Sequence, residues 1–211
     1  MANKKHEWRK DERMLYPTMK HPSITTVPAQ TMITISGQGN PNSPEFAERV
    51  GALFAISYAI KMASKKGIDF PDAIDYTVYP LEGYWTMPDD FTGGPIDKEQ
   101  LVYTIMIKQP VFVTSAVFEQ ARQLVKDKVP ETLLEQLQLT TTTEGLVGMI
   151  LHVGSFDTEV EDFDRLDYFL KNEGYVRTEY AHKEIYLSDF RRVEEAKRKT
   201  LLRVKIAKRE S

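Results

Sequence analysis

The order strand, helix, strand, strand occurs twice along this chain, and that repetition constrains its fold more than any single residue does. The first copy opens with "ITTVPAQTMITISG", Ile24 to Gly37, a Thr- and Ile-rich strand in which Pro28 marks an edge or a bulge. A turn and a long helix follow in "GQGNPNSPEFAERVGALFAISYAIKMASKKG". Ser43 is placed to cap this helix, Pro44 suits its first position, Glu45 favours the positive end of its dipole and Gly67 ends it. Two strand-like runs, "DAIDYTVYPLEGYW" and "EQLVYTIMIKQP", complete the unit, joined by the Gly- and Pro-punctuated loop "TMPDDFTGGPIDK".

A helical segment, "TSAVFEQARQLVKDK", broken at Pro130, leads into the second copy. There "EGLVGMILHVGSF" reads as a buried strand. The next helix carries Thr158 and Glu161 at capping-box spacing, an apolar stripe of Phe163, Leu166 and Leu170, and a stop at Gly174. "EYAHKEIYLSDF" and "TLLRVKIAK" supply the last two strands. Their order predicts an α+β fold: a pseudo-twofold duplication of a strand-helix-strand-strand module, an antiparallel sheet with helices on one face, and a ligand groove on the other. Residues 1–22 are expected to form a loosely structured arm that latches on through Trp8, Met14, Leu15 and Tyr16, and 23–211 one domain of two modules, about 23–110 and 111–211.

Composition narrows the function classes. The 211 residues include 41% apolar side chains, enough for a sizeable core, and no cysteine, which removes thiolate nucleophiles, disulfides and zinc-thiolate sites. The charged start "MANKKHEWRKDERMLY" lacks the apolar run of a signal peptide, and no apolar stretch reaches the roughly 20 residues that span a bilayer, so a cytoplasmic protein without membrane contact is expected. A net charge of −3 argues against direct nucleic-acid binding. The basic run "RRVEEAKRKTLLRVKIAKRE" reads as the solvated outer face of an edge strand.

The strand period places His182, Glu184 and Tyr186 on one face of "EYAHKEIYLSDF". A polar face turned to solvent is the plain reading. The functional one is a carboxylate poised to move a proton or meet a cation, with an imidazole and a phenol beside it. In the first copy, Glu82, Tyr84 and Trp85 cluster around Gly83, where a bulge would turn the indole into a groove as a floor for a flat or cationic ligand. Tyr79, Tyr103, Phe112, His152 and Phe156 are candidate walls. The His-x-Glu spacing of His182 and Glu184 also occurs in zinc deaminases, but the paired cysteines those sites need are missing, and no cofactor is expected.

Across Ser23 to Ala207 the chain resembles the GyrI-like small-molecule-binding family, and within it the stand-alone bacterial branch, through "VPAQTMITISGQGNPNSPEF", "DYTVYPLEGYW", "EGLVGMILHVGSFD" and above all "HKEIYLSDFRR". The resemblance implies two strand-helix-strand-strand modules with a ligand groove between them. It also implies that Glu184 is the glutamate that meets cationic drugs in the effector domains of multidrug-responsive regulators. Some stand-alone members hydrolyse the cyclopropane of DNA-alkylating cyclopropapyrroloindoles. For this chain that implies Glu184, Tyr186 and His182 as catalytic groups, and an aromatic ligand or genotoxin bound by Trp85, Glu82, Tyr84, Tyr103, Phe112, His152 and Tyr79. A non-catalytic drug-binding module and a gyrase-modulating interaction protein are the alternative functions. The family motif commonly has proline where Phe190 stands.

Overall fold

Pro28 has no N–H to donate to a ladder, and in the computed structural model, which describes residues 5–88, 97–189 and 192–209, it falls in a break between two strands, Ser23–Val27 (β1) and Gln30–Gln38 (β2). The helix Pro44–Lys61 (α2) starts as its sequence predicts: Ser43 Oγ accepts the Phe46 N–H at 3.2 Å, with proline in the first turn. A short 3₁₀ turn carries the chain to Gly67, whose φ of 74° suits a residue without Cβ. Strands Leu81–Thr86 (β3) and Val102–Lys108 (β4) complete the first module.

Thr114 caps Ser115–Val125 (α3), and Pro130 precedes the short Glu131–Gln136 (α4). The strand Gln138–Thr142 (β5) then leads into Gly145–Val153 (β6). Helix Glu159–Asn172 (α5) and strands Tyr175–Arg177 (β7), His182–Tyr186 (β8) and Lys199–Lys208 (β9) follow. The capping box expected at Thr158 is not formed. Thr158 Oγ1 instead donates to the Ser155 carbonyl at 2.9 Å, because a 3₁₀ turn, Phe156–Thr158, intervenes before the helix.

The fold is α+β, with the strands in one antiparallel sheet of order β1-β6-β9-β8-β3-β4-β2-β5, β7 pairing separately with β9. Each module contributes three neighbouring strands, and β3 and β8 pair where the modules meet. Ser23 faces Met149, Val27 faces Gly145, Gln30 faces Thr142 and Thr34 faces Gln138, so β1 with β2 and β5 with β6 behave as two bent strands paired in one unbroken register. The basic C-terminal strand is not an edge strand. β9 lies between β6 and β8, and its Arg203 is only 2% exposed, a burial made tolerable by partners from distant segments.

Alternation across the strands sends two sets of side chains in opposite directions. Ile33, Ile35, Ile105 and Ile107 lie on the face beneath α2, and Ile150, Leu202 and Val204 lie beneath α5. Gly148 lets α5 approach closely, since a Cβ there would stand 2.9 Å from a Leu170 methyl. The other face carries Met32, Val147, Met149, Ile185 and Leu201, and the N-terminal arm packs against it with Trp8 and Tyr16 buried. Arg203 donates to the Leu15 carbonyl at 2.7 Å, and Arg9, next to the short helix Trp8–Asp11 (α1) residue Trp8, donates to the Leu187 carbonyl at 2.8 Å.

Beneath that arm lies a buried chain of charges. Lys183 Nζ is 3.0 Å from Glu82 Oε2 and 2.8 Å from Glu144 Oε1, and Arg203 Nη1 is 2.9 Å from the same Glu144 oxygen. Burial alone would raise the Glu144 carboxyl, but the charges of Arg203 and Lys183 outweigh it and hold the group below the usual carboxylate range. Its stabilising contribution is therefore complete above the ordinary glutamate pKa and is lost as pH falls through the depressed folded value. Breaking such a buried network by removing one partner costs roughly 3–5 kcal/mol. Arg203→Met should lower stability by about that much in urea unfolding at pH 7, and Glu144→Gln should flatten the acid limb of the stability curve.

Candidate functional site

Gly83 is directly opposite Glu184 in the β3–β8 ladder, and Trp85 is opposite His182. Residues opposite one another share a face, so Gly83, Trp85, His182, Glu184 and Tyr186 form one surface. A Cβ on Gly83 would meet Trp85 Nε1 at 2.6 Å and the Tyr186 hydroxyl at 3.1 Å. The missing side chain is what allows the indole to lie over the strand, with no bulge in the ladder.

The polar groups on this surface are linked in series. Trp85 Nε1 donates to the Tyr186 hydroxyl at 3.1 Å, the Tyr186 hydroxyl donates to Glu184, and His182 Nε2 lies 3.0 Å from Glu184 Oε1. Burial, followed by the charge and hydrogen bond of Glu184, keeps the Tyr186 phenol well above its ordinary pKa, so it remains a proton donor across the physiological range. The Glu184 side chain is 12% exposed, with a path to solvent.

Helices flank the row on both sides. From α2, Phe46 stacks on Trp85 at 5.8 Å between centroids and meets Tyr103 edge-on at 5.0 Å, while Trp85 and Tyr103 are 5.4 Å apart. From the α5 side, Phe156 meets Tyr186 edge-on at 5.9 Å and Phe163 meets His182 at 4.9 Å. Glu184, Tyr186, His182, Trp85 and Tyr103 are thus brought together on the helix-bearing face, in a furrow between α2 and α5.

The remaining candidates lie elsewhere. Glu82 is the partner of Ile185 in the ladder, so it points to the opposite face and pairs with Lys183. Tyr84 is on that face too, beside a cavity of about 230 Å³ lined by Glu144, Glu179, Lys183, Arg203 and Lys205; burial and a hydrogen bond to Glu179 push its phenol up to about 12. The opposite face therefore has its own concavity, and His182, at the end of the Glu184 row, also borders it. Tyr79 and Phe112 line a third region, a cavity of about 490 Å³, where the Tyr79 hydroxyl bonds Glu12 and lies 3.1 Å from His6 Nε2. His152 is 3% exposed and fully engaged, Nδ1 with Asp162 at 2.9 Å and Nε2 with the Ser155 carbonyl at 2.9 Å, which ties the start of α5 to β6. Phe190 lies outside the described residues.

One residue that sequence reasoning passed over belongs to the furrow. Glu159, the first residue of α5, is 7% exposed, and its Oε1 is buried without a hydrogen-bond partner. Burial foremost, then the charges of Glu184, Asp162 and Asp157, push its carboxyl up to about 10. The helix dipole, which favours a negative charge here by roughly 0.3–1 kcal/mol, is too small to offset that desolvation. The signal was present in the sequence: Phe156, Glu159 and Phe163 recur at i, i+3 and i+7, placing a glutamate on the apolar stripe.

Residues 20–207 match the GyrI-like small molecule binding domain, and the chain belongs to that family. Among similar solved structures is one from Listeria innocua described as a hydrolase, 30% identical, aligned over 96% of this chain and 100% of its own with a TM-score of 0.87. An uncharacterized conserved protein from the same organism is 31% identical, covering 96% of this chain and 100% of its own, with a TM-score of 0.89. The C-terminal domain of EcmrR, at 10% identity over 89% of this chain and 98% of its own, shares the fold with a TM-score of 0.51. No curated protein sequence matches the chain.

The Glu159 carboxyl has a stability signature whose sign follows from its raised pKa. Its proton is retained at neutral pH only in the folded state, so stability is lost as pH rises from the ordinary glutamate value toward about 10. Glu159→Gln should therefore be more stable than the wild type by roughly 1–3 kcal/mol at pH 8, and the gain should vanish near pH 4, as read by urea midpoints at the two pH values. Gly83→Ala should cost roughly 1–3 kcal/mol by overpacking and should displace the indole, read as a changed near-ultraviolet dichroism band.

Proposed function

We propose that the furrow over Glu184 binds flat aromatic molecules and hydrolyses the cyclopropane of DNA-alkylating cyclopropapyrroloindole-type genotoxins, protecting the cell that carries the protein. The observation that carries this reading is Glu184 itself: a carboxylate with access to solvent, held in one orientation by Tyr186 and His182 beneath a wall of aromatic rings. It is supported by 30% identity, over nearly the whole chain, to a protein described as a hydrolase.

The chemistry asks for what such a row supplies. A cyclopropane conjugated to a dienone opens when a nucleophile attacks its methylene carbon and the carbonyl oxygen takes up the released electron pair. Glu184 positions a water against that carbon and removes its proton as the C–O bond forms. Tyr186 and His182 fix the orientation of the carboxylate, and Trp85 with Tyr103 lends the π-surface against which a planar ligand stacks once Phe46 yields. No step draws on a metal or an organic cofactor.

Purified protein incubated with a cyclopropapyrroloindole should give the ring-opened alcohol in many-fold excess over protein, followed by mass spectrometry. Glu184→Gln should lower that rate by roughly 10²–10⁴-fold with ligand binding retained, the loss expected when a general base is removed. Stoichiometric protection without product would instead mark a sequestering module, and full turnover by Glu184→Gln would remove the role given to the carboxylate.

A further inference from the structure

We infer that Glu159 is a second catalytic carboxyl of this furrow, the acid that delivers a proton to the oxygen of the opening ring while Glu184 removes one from water; the inference rests on the hydrolase reading above. Ring opening needs both a proton acceptor and a proton donor, and Glu184 can be only the first. The two donors of its own strand do not serve the leaving side. The Tyr186 hydroxyl and His182 Nε2 are both turned onto Glu184, and the Trp85 N–H is turned onto Tyr186.

Glu159 meets the requirements of the missing donor. It stands on α5 between Phe156 and Phe163, the two residues whose rings rest on Tyr186 and His182, so it faces the same furrow from the opposite wall. Its Oε1 is buried and unpartnered. The charged groups around it do not neutralise it: Glu184 approaches from β8, while Asp157 pairs with Lys98 at 3.2 Å and Asp162 pairs with His152 and Arg165 at 2.9 and 2.5 Å. Nothing in that set offers Glu159 a cation. A carboxyl so placed keeps its proton at neutral pH, and with Glu184 as the acceptor it completes a donor and acceptor pair.

The step balances on that pair. Water gives a proton to Glu184, its oxygen bonds to the ring methylene, the strained C–C bond breaks, and the electron pair passes through the conjugated system to the carbonyl oxygen, which takes the Glu159 proton and leaves as a phenol. One water is consumed, and the proton that Glu159 gives up is matched by the one Glu184 gains. A proton passing from Glu184 back to Glu159 through solvent restores the starting state. The same exchange of roles is used by paired carboxyls that hydrolyse glycosides.

Two readouts test this, one of them independent of turnover. Infrared spectra at pH 7 should show the carbonyl stretch of a protonated carboxyl that persists in Glu184→Gln and disappears in Glu159→Gln. With a cyclopropapyrroloindole substrate, Glu159→Gln should lower kcat by roughly 10²–10⁴-fold with KM changed little, abolish the alkaline limb of the pH profile, and be partly rescued by Glu159→Asp. Wild-type turnover without the infrared band, or with kcat unimpaired in Glu159→Gln, overturns the inference and leaves the hydrolase reading standing. A wild-type protein that makes no product overturns both.

Discussion

The four-residue ladder between β3 and β8 is the joint on which this protein depends. It joins the two modules at the middle of the sheet, and it sets which side chains face the helices. With Gly83 opposite Glu184, the even-numbered residues of β8 form a polar row under aromatic rings, and Lys183 and Ile185 go to the opposite core. A slip of one residue would exchange the two faces, carrying Lys183 among the rings and stranding Glu82 and Glu144 without their shared cation. The buried ion pairs on one face thus hold the register that groups His182, Glu184 and Tyr186 on the other.

Four glutamates show how far position outweighs residue type. Glu144 sits between Lys183 and Arg203 and is held ionised by them, despite its burial. Glu82 is wholly buried and spends one oxygen on Lys183. Glu184 has two donors and a route to solvent, while Glu159 has burial and no donor, which drives it toward the neutral form. The same carboxyl is a strut in the first two places, a hydrogen-bond acceptor in the third and a proton store in the fourth.

Much of this was legible in the residues themselves. The cap at Ser43, the break at Pro28, the stripe of α5 and the grouping of His182, Glu184 and Tyr186 rest on local rules of period and capping, and local rules survive folding. What was not legible depends on partners distant in sequence. Arg203 reads as a surface charge until Glu144 and the Leu15 carbonyl are beside it, so β9 looked like an edge. Glu82 and Trp85 are close in sequence, yet the pleat sends them to opposite faces, and only the register says which one meets the furrow. Glu159 was passed over because the apolar stripe of α5 was read from Phe163, Leu166 and Leu170 alone, without the turn before them.

The unbroken register shared by β1 with β2 and β5 with β6 has a consequence for life in a crowded solution. Because each long strand bends and pairs with the other along its length, the two ends of the sheet are each presented by a five-residue segment, β1 or β5. Open ladders that short, and rich in threonine instead of large apolar side chains, give a neighbouring chain little on which to add a strand. The crossing that aligns the two modules also caps the sheet against edge-to-edge aggregation.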